Sequence, residues 1–89
     1  MPQEKTSRLP VFVGLTLAGT GAAHFARPQL FEGITQAAFP RDTRKHLYTN
    51  GGIETALGLG LAAPQTRKLA VAGLLGYGAY LAANVIRNR

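Results

Sequence analysis

Three long apolar stretches, Leu9–Ala26, Leu47–Ala63 and Leu69–Ile86, occupy most of an 89-residue chain. The first and third contain no Asp, Glu, Lys or Arg, and the second contains only Glu54. A single soluble domain of this length buries only about two-thirds of its unfolded surface and needs charge on the outer face of each helix. Here the charges lie between the apolar runs rather than within them. Lipid is therefore the expected solvent, and the expected fold is all-α: three transmembrane helices with a short amphipathic interfacial helix between the first and second. Residues 1–8 form a polar, unstructured tail in this reading, and 9–89 a single helical membrane domain.

The overall mean hydropathy of +0.04 is low for such a protein. The polar start, a basic connector and eleven glycines pull it down, and glycine is itself common in membrane helices. The net charge of +6 is read as flanking charge that meets anionic headgroups. Nucleic-acid binding would need a clustered basic face with interleaved aromatics, which the sequence lacks. Cysteine is absent, which excludes disulfides and thiolate-held metals. Lys5 and Arg8 before the first apolar run, with Gly21-Ala22-Ala23 inside it, also loosely fit a cleavable signal sequence. Retention of the segment is the reading adopted.

Pro10 suits the first turn of a helix, where a missing N–H costs nothing, and Arg27-Pro28 ends that helix. A shorter helix follows over Pro28–Ala38, with Leu30, Phe31, Ile34, Ala37 and Ala38 on one face and Gln29, Glu32 and Gln36 on the other. It is too short to span, and its one-sided pattern suits the membrane interface. Pro40 closes it. Asp42 or Thr43 can cap the next helix, which is expected over Thr43–Ala63. After the Pro64-Gln65-Thr66 turn the last helix runs to about Ile86.

Each long helix carries one polar seam: Thr16, Thr20 and His24 on the first, Asn50 and Glu54 on the second, Tyr77, Tyr80 and Asn84 on the third. Alternating helix directions put His24, Glu54 and Asn84 at the same end of the bundle. A carboxylate at that depth needs a partner or a wet cavity, and His24 is the one cationic candidate nearby. Glu54, His24, Asn50, Asn84, Tyr77 and Tyr80 are thus a candidate ligand or proton site. Structural hydrogen-bonding between helices is the competing reading, since such bonds are common and worth about 0.6–2 kcal/mol each. Small residues four apart, Gly14, Ala18 and Ala22 with Gly52, Ala56 and Gly60, are the expected packing seams. Metal-ligand spacing, nucleotide-binding loops and nucleophile elbows are missing, so no catalytic residue is assigned and an enzyme is not the leading expectation.

Gly21-Ala22-Ala23-His24-Phe25, Pro28, Phe31 and Phe39-Pro40, followed by Gly51-Gly52-Ile53-Glu54-Thr55-Ala56-Leu57-Gly58-Leu59 and the turn at Pro64-Gln65-Thr66-Arg67, resemble the DoxX-like small membrane proteins. Asn84 fits a polar residue late in their next helix. The resemblance implies a helical bundle in the bacterial cytoplasmic membrane, crossing it several times. Some members are linked to quinone-coupled sulfur oxidation or to redox-stress complexes. The family pattern expects a fourth helix where this chain has three spans, which implies a second copy or another chain on the open side. The expected function is a non-catalytic packing or accessory subunit of a membrane assembly. The alternative is a redox accessory protein holding a quinone or a lipid at the Glu54–His24 site. The expected partners are membrane lipids and a homo-oligomer or larger complex, without nucleic acid; beyond the quinone no cofactor is expected.

Overall fold

The computed structural model describes residues 2–89, with side chains from Arg8 onward. It is all-helical: α1 spans Pro2–Ala26, α2 Glu32–Ala38, α3 Thr43–Ala62 and α4 Arg67–Asn88, with a single 3₁₀ turn at Pro28–Leu30 before α2. The helix begins at Pro2, so the segment expected to be an unstructured tail is the start of α1 from that residue on; Met1 lies outside the described residues.

The expectation of three membrane-spanning helices is corrected. Among the described residues, two helices are long and apolar enough to cross a membrane, over Arg8–Ala26 and Arg67–Asn88. The physical reason lies in the polar residues of α3. Arg44, Lys45, His46, Thr49, Asn50 and Glu54 occupy it to just past its middle, so the uninterrupted apolar part is too short. From Ala56 to Ala62 it covers about 10 Å by helical rise, against a hydrocarbon layer of about 30 Å. Instead α3 takes the central place. It packs along α1 for most of its length and also meets α4, whereas α1 and α4 do not approach each other. The most polar long helix is thus flanked by the two most apolar ones.

The α1–α3 contact is a close approach of backbones. A Cβ built on Gly14 would lie 2.5 Å from the Gly58 carbonyl oxygen, and one on Gly51 would lie 2.5 Å from His24 Cβ. Methyl groups on Gly21 and Gly58 would run into the Thr55 and Ala18 backbones. The seam is therefore Gly14, Ala18 and Gly21 against Gly51, Thr55 and Gly58. Of the expected packing residues, Gly14 and Ala18 lie in it and Gly60 meets Ala70 of α4, but Ala22, Gly52 and Ala56 are exposed. The reason is angular: a four-residue step turns 400°, so Ala22 stands about 80° away from Gly14, whereas a seven-residue step returns to within about 20°.

Side chains close the connections. Asp42 adopts a left-handed backbone, φ 52°, which Asp tolerates better than most residues, and the chain reverses there into α3. Thr43 Oγ1 donates to the Phe39 carbonyl at 2.7 Å. At the other end, Arg67 Nε donates to the Leu61 carbonyl at 2.7 Å and Thr66 Oγ1 to that of Gly60 at 2.8 Å, satisfying carbonyls that α3 leaves open at its C-terminus. Asn88 donates to the Ala38 carbonyl at 2.9 Å and ties the end of α4 to α2. The face of α2 also differs from expectation. Thr35 and Ala38 are buried, whereas Leu30 and Ile34 stand exposed, because α2 docks on α3 and α4 through the row that holds Thr35 and Ala38.

Candidate functional site: a polar-headed cavity beside the central helix

Where α1 and α4 stand apart on either side of α3, α2 covers the gap. A cavity of about 230 Å³ remains beneath it. Its polar end is built from three helices. His24 lies in the last turn of α1 and is buried. Asn50 and Glu54 stand one turn apart on α3, and Tyr77 reaches across from α4. The apolar walls are Phe31, Ile34, Ala38, Phe39, Leu81 and Val85. Ile34 and Val85 are also solvent-exposed, so the cavity meets the surface between α2 and α4.

Tyr77 donates its hydroxyl to Glu54 Oε2 at 2.5 Å. His24 Nε2 lies 3.9 Å from the same oxygen, an electrostatic neighbour but too far for a hydrogen bond. On the other side of the ring, Nδ1–H donates to the Thr20 carbonyl at 2.9 Å. A carbonyl only accepts, so the proton sits on Nδ1, and in the neutral ring Nε2 carries a lone pair. The imidazole is stacked on Phe31 at 3.8 Å between centroids, which fixes its plane. Asn50 is only 4 % exposed, and its side-chain carbonyl oxygen is buried without a hydrogen-bond partner. Leaving such a group unpaired costs about 1–3 kcal/mol.

The structure therefore brings four of the six expected residues together: Glu54, His24, Asn50 and Tyr77. Tyr80 and Asn84 belong to a different row. Residues 77, 81 and 85 form the α4 face that lines this cavity. Tyr80, Asn84 and Asn88 form the neighbouring face: Tyr80 lies against Phe39 at 5.5 Å, and Asn84 donates to its own helix at the Tyr80 carbonyl. Asn84 and Asn88 instead line a second hollow with Arg41 and His46. Thr35, Phe31 and Phe39 of the α2 region were not expected at the site. No period links them to α1 across Arg27-Pro28; only the fold of α2 over the gap does. The Tyr77–Leu81–Val85 row was readable as a four-residue spacing.

The cluster sets hydrogen-bond donors and acceptors from three helices around one end of the cavity. Among the described residues no three His, Cys, Asp or Glu side chains stand together as a metal site.

Fold and site define a small all-α bundle with two helices long and apolar enough to cross a membrane. The model of the family described as a domain of unknown function, DUF8561, matches residues 13–88, and the chain belongs to that family. No curated protein and no solved structure matches it.

Proposed function

We propose that the protein is a small membrane-embedded accessory protein that holds an amphipathic small molecule in the cavity headed by His24, Asn50, Glu54 and Tyr77. The observation that carries this reading is the unpartnered, buried Asn50 carbonyl at a cavity that contains other buried polar side chains. A group left bare at such a cost is explained if a bound molecule, or water, completes it. The apolar outer faces of α1 and α4, which keep Phe12, Leu15, Leu69 and Leu75 exposed, support lipid as the surroundings. The bacterial cytoplasmic membrane and a kinship with DoxX-like proteins are part of the proposal and rest on the sequence resemblance. So does a quinone as one example of the ligand.

Native mass spectrometry of the protein purified in mild detergent tests this. Wild type should carry a small non-protein mass that Asn50→Leu loses. A bare wild-type protein, purified without delipidating washes, would overturn the proposal.

One observation favours a second reading. The apolar window of α4 is only 11 % buried, which suits a subunit that docks on a second copy or on a larger complex. A protein-only oligomer that persists in detergent would support that reading, and a monomer would oppose it.

A further inference from the structure

The hydrogen-bonding inventory at the cavity head is unbalanced. Two of its donors are already engaged, the Tyr77 hydroxyl with Glu54 Oε2 and His24 Nδ1–H with the Thr20 carbonyl, whereas Asn50 Nδ2 and the Thr35 hydroxyl at the same cavity donate to no described residue. Three acceptors have no hydrogen-bond donor among the described residues. They are His24 Nε2 in the neutral ring, the second carboxylate oxygen of Glu54, and Asn50 Oδ1. A molecule that only accepts hydrogen bonds would leave the Glu54 and Asn50 oxygens without a donor. A hydroxyl head, which donates to these oxygens and accepts from Asn50 Nδ2 or Thr35, completes both sets.

The walls specify what lies behind the head. His24 and Phe31 form one stacked pair, Phe39 stands on the α2 side, and Ile34, Leu81 and Val85 complete an apolar channel to the surface. An apolar cavity of about 150 Å³ already takes up benzene. The 230 Å³ present here therefore holds one aromatic ring with a short substituent.

Resting on the reading of this cavity as a ligand site, we infer that its ligand is a neutral aromatic alcohol: a ring between Phe31 and Phe39 whose hydroxyl donates into the His24–Glu54–Asn50 acceptor cluster. The apolar substituent leaves between Ile34 and Val85 toward lipid.

Two probes of nearly equal shape separate the possibilities, 4-propylphenol and 4-propylanisole. The first donates through its hydroxyl; the second cannot. Titration calorimetry on the protein in lipid nanodiscs, with empty nanodiscs subtracted, should show saturable one-to-one binding of the phenol. Its affinity should exceed that of the anisole by about tenfold, the worth of one well-made hydrogen bond in a desolvated site. Equal affinities, or tighter binding of the anisole, would overturn the donor inference and leave the ligand site standing. Binding of neither probe would overturn both. Ile34→Trp, at an exposed position where the fold is not at stake, fills the mouth of the cavity and should abolish phenol binding. Undiminished binding in that variant would put the probe elsewhere and sink the assignment.

Discussion

At the residue scale the Glu54–Tyr77 contact decides most. The Tyr77 hydroxyl is buried and its acceptor is the Glu54 carboxylate. Glu54→Gln keeps an acceptor oxygen at the same reach, so melting in detergent should move little. Glu54→Leu strands the hydroxyl and should lower stability by about 1–3 kcal/mol; Tyr77→Phe in the same background should recover part of that loss, because it removes the stranded group. Asn50 should behave in the opposite way. Its carbonyl has no partner to lose, so Asn50→Leu should raise the melting temperature of the ligand-free protein while eliminating ligand retention. A fall in melting temperature would mean that the side chain is structural. The exposed Arg44–Glu32 pair, 2.9 Å apart, is a different matter: a solvent-facing ion pair contributes about 0–1 kcal/mol, and Arg44→Ala should be nearly silent in the same assay.

At the element scale the bundle depends on how closely α1 and α3 approach. Gly58 faces the Ala18 backbone with no side chain that could move aside. Gly58→Ala should therefore push the helices apart and cost about 1–3 kcal/mol, as overpacking does. Gly52 lies six residues earlier on the same helix, with nothing near the place its Cβ would occupy. There the alanine should be neutral or stabilise by up to about 1 kcal/mol, since it is the better helix former. Thermal unfolding of the two variants side by side tests the seven-residue seam; similar losses from both would refute it. The presence of small-residue seams was legible in the sequence, but their phase was not. Gly51 and Gly52 are adjacent, and choosing between them requires knowing which side of α3 the partner occupies.

At the scale of the whole molecule, the two apolar helices flank the polar one, and the basic residues collect at the ends. Arg27, Arg41, Arg44, Lys45, Arg87 and Arg89 lie at the end where α4 meets α2, a junction made by Asn88 and Ala38. Arg8, Arg67 and Lys68 lie at the other. If α4 crosses, its two ends lie on opposite sides. The chain has no cysteine, so single-cysteine variants at Arg89 and Gln65 give a clean readout with a membrane-impermeant thiol reagent added to intact cells. One of Gln65→Cys and Arg89→Cys should label and the other should not; labelling of both would mean that α4 does not cross. The protein should also stay in the membrane pellet through a carbonate wash, and its release would remove lipid as the surroundings of α1 and α4.

Helix number, the breaks between helices and the apolar character of α1 and α4 were fixed by local chemistry: charge-free runs, Pro28, Pro40 and Pro64 as breaks, and basic residues at the boundaries. These are properties of neighbours along the chain, so the sequence by itself determined them. It also marked Glu54 and His24 as a pair, because antiparallel neighbours place them at one depth. What only the tertiary structure decided is which helix stands between which. With α3 in the middle, Asn50, Glu54 and Thr55 turn toward protein while Arg44, Lys45 and Thr49 stay exposed, and the third span read from composition gives way to a central helix between the two apolar ones. The same arrangement turns Tyr77 toward Glu54 and leaves Tyr80 and Asn84 to a separate face. It also brings Phe31 over His24 through a 3₁₀ turn that carries no periodic signal. Side chains that meet across helices are set by rotation and neighbour order, and one sequence read alone contains neither.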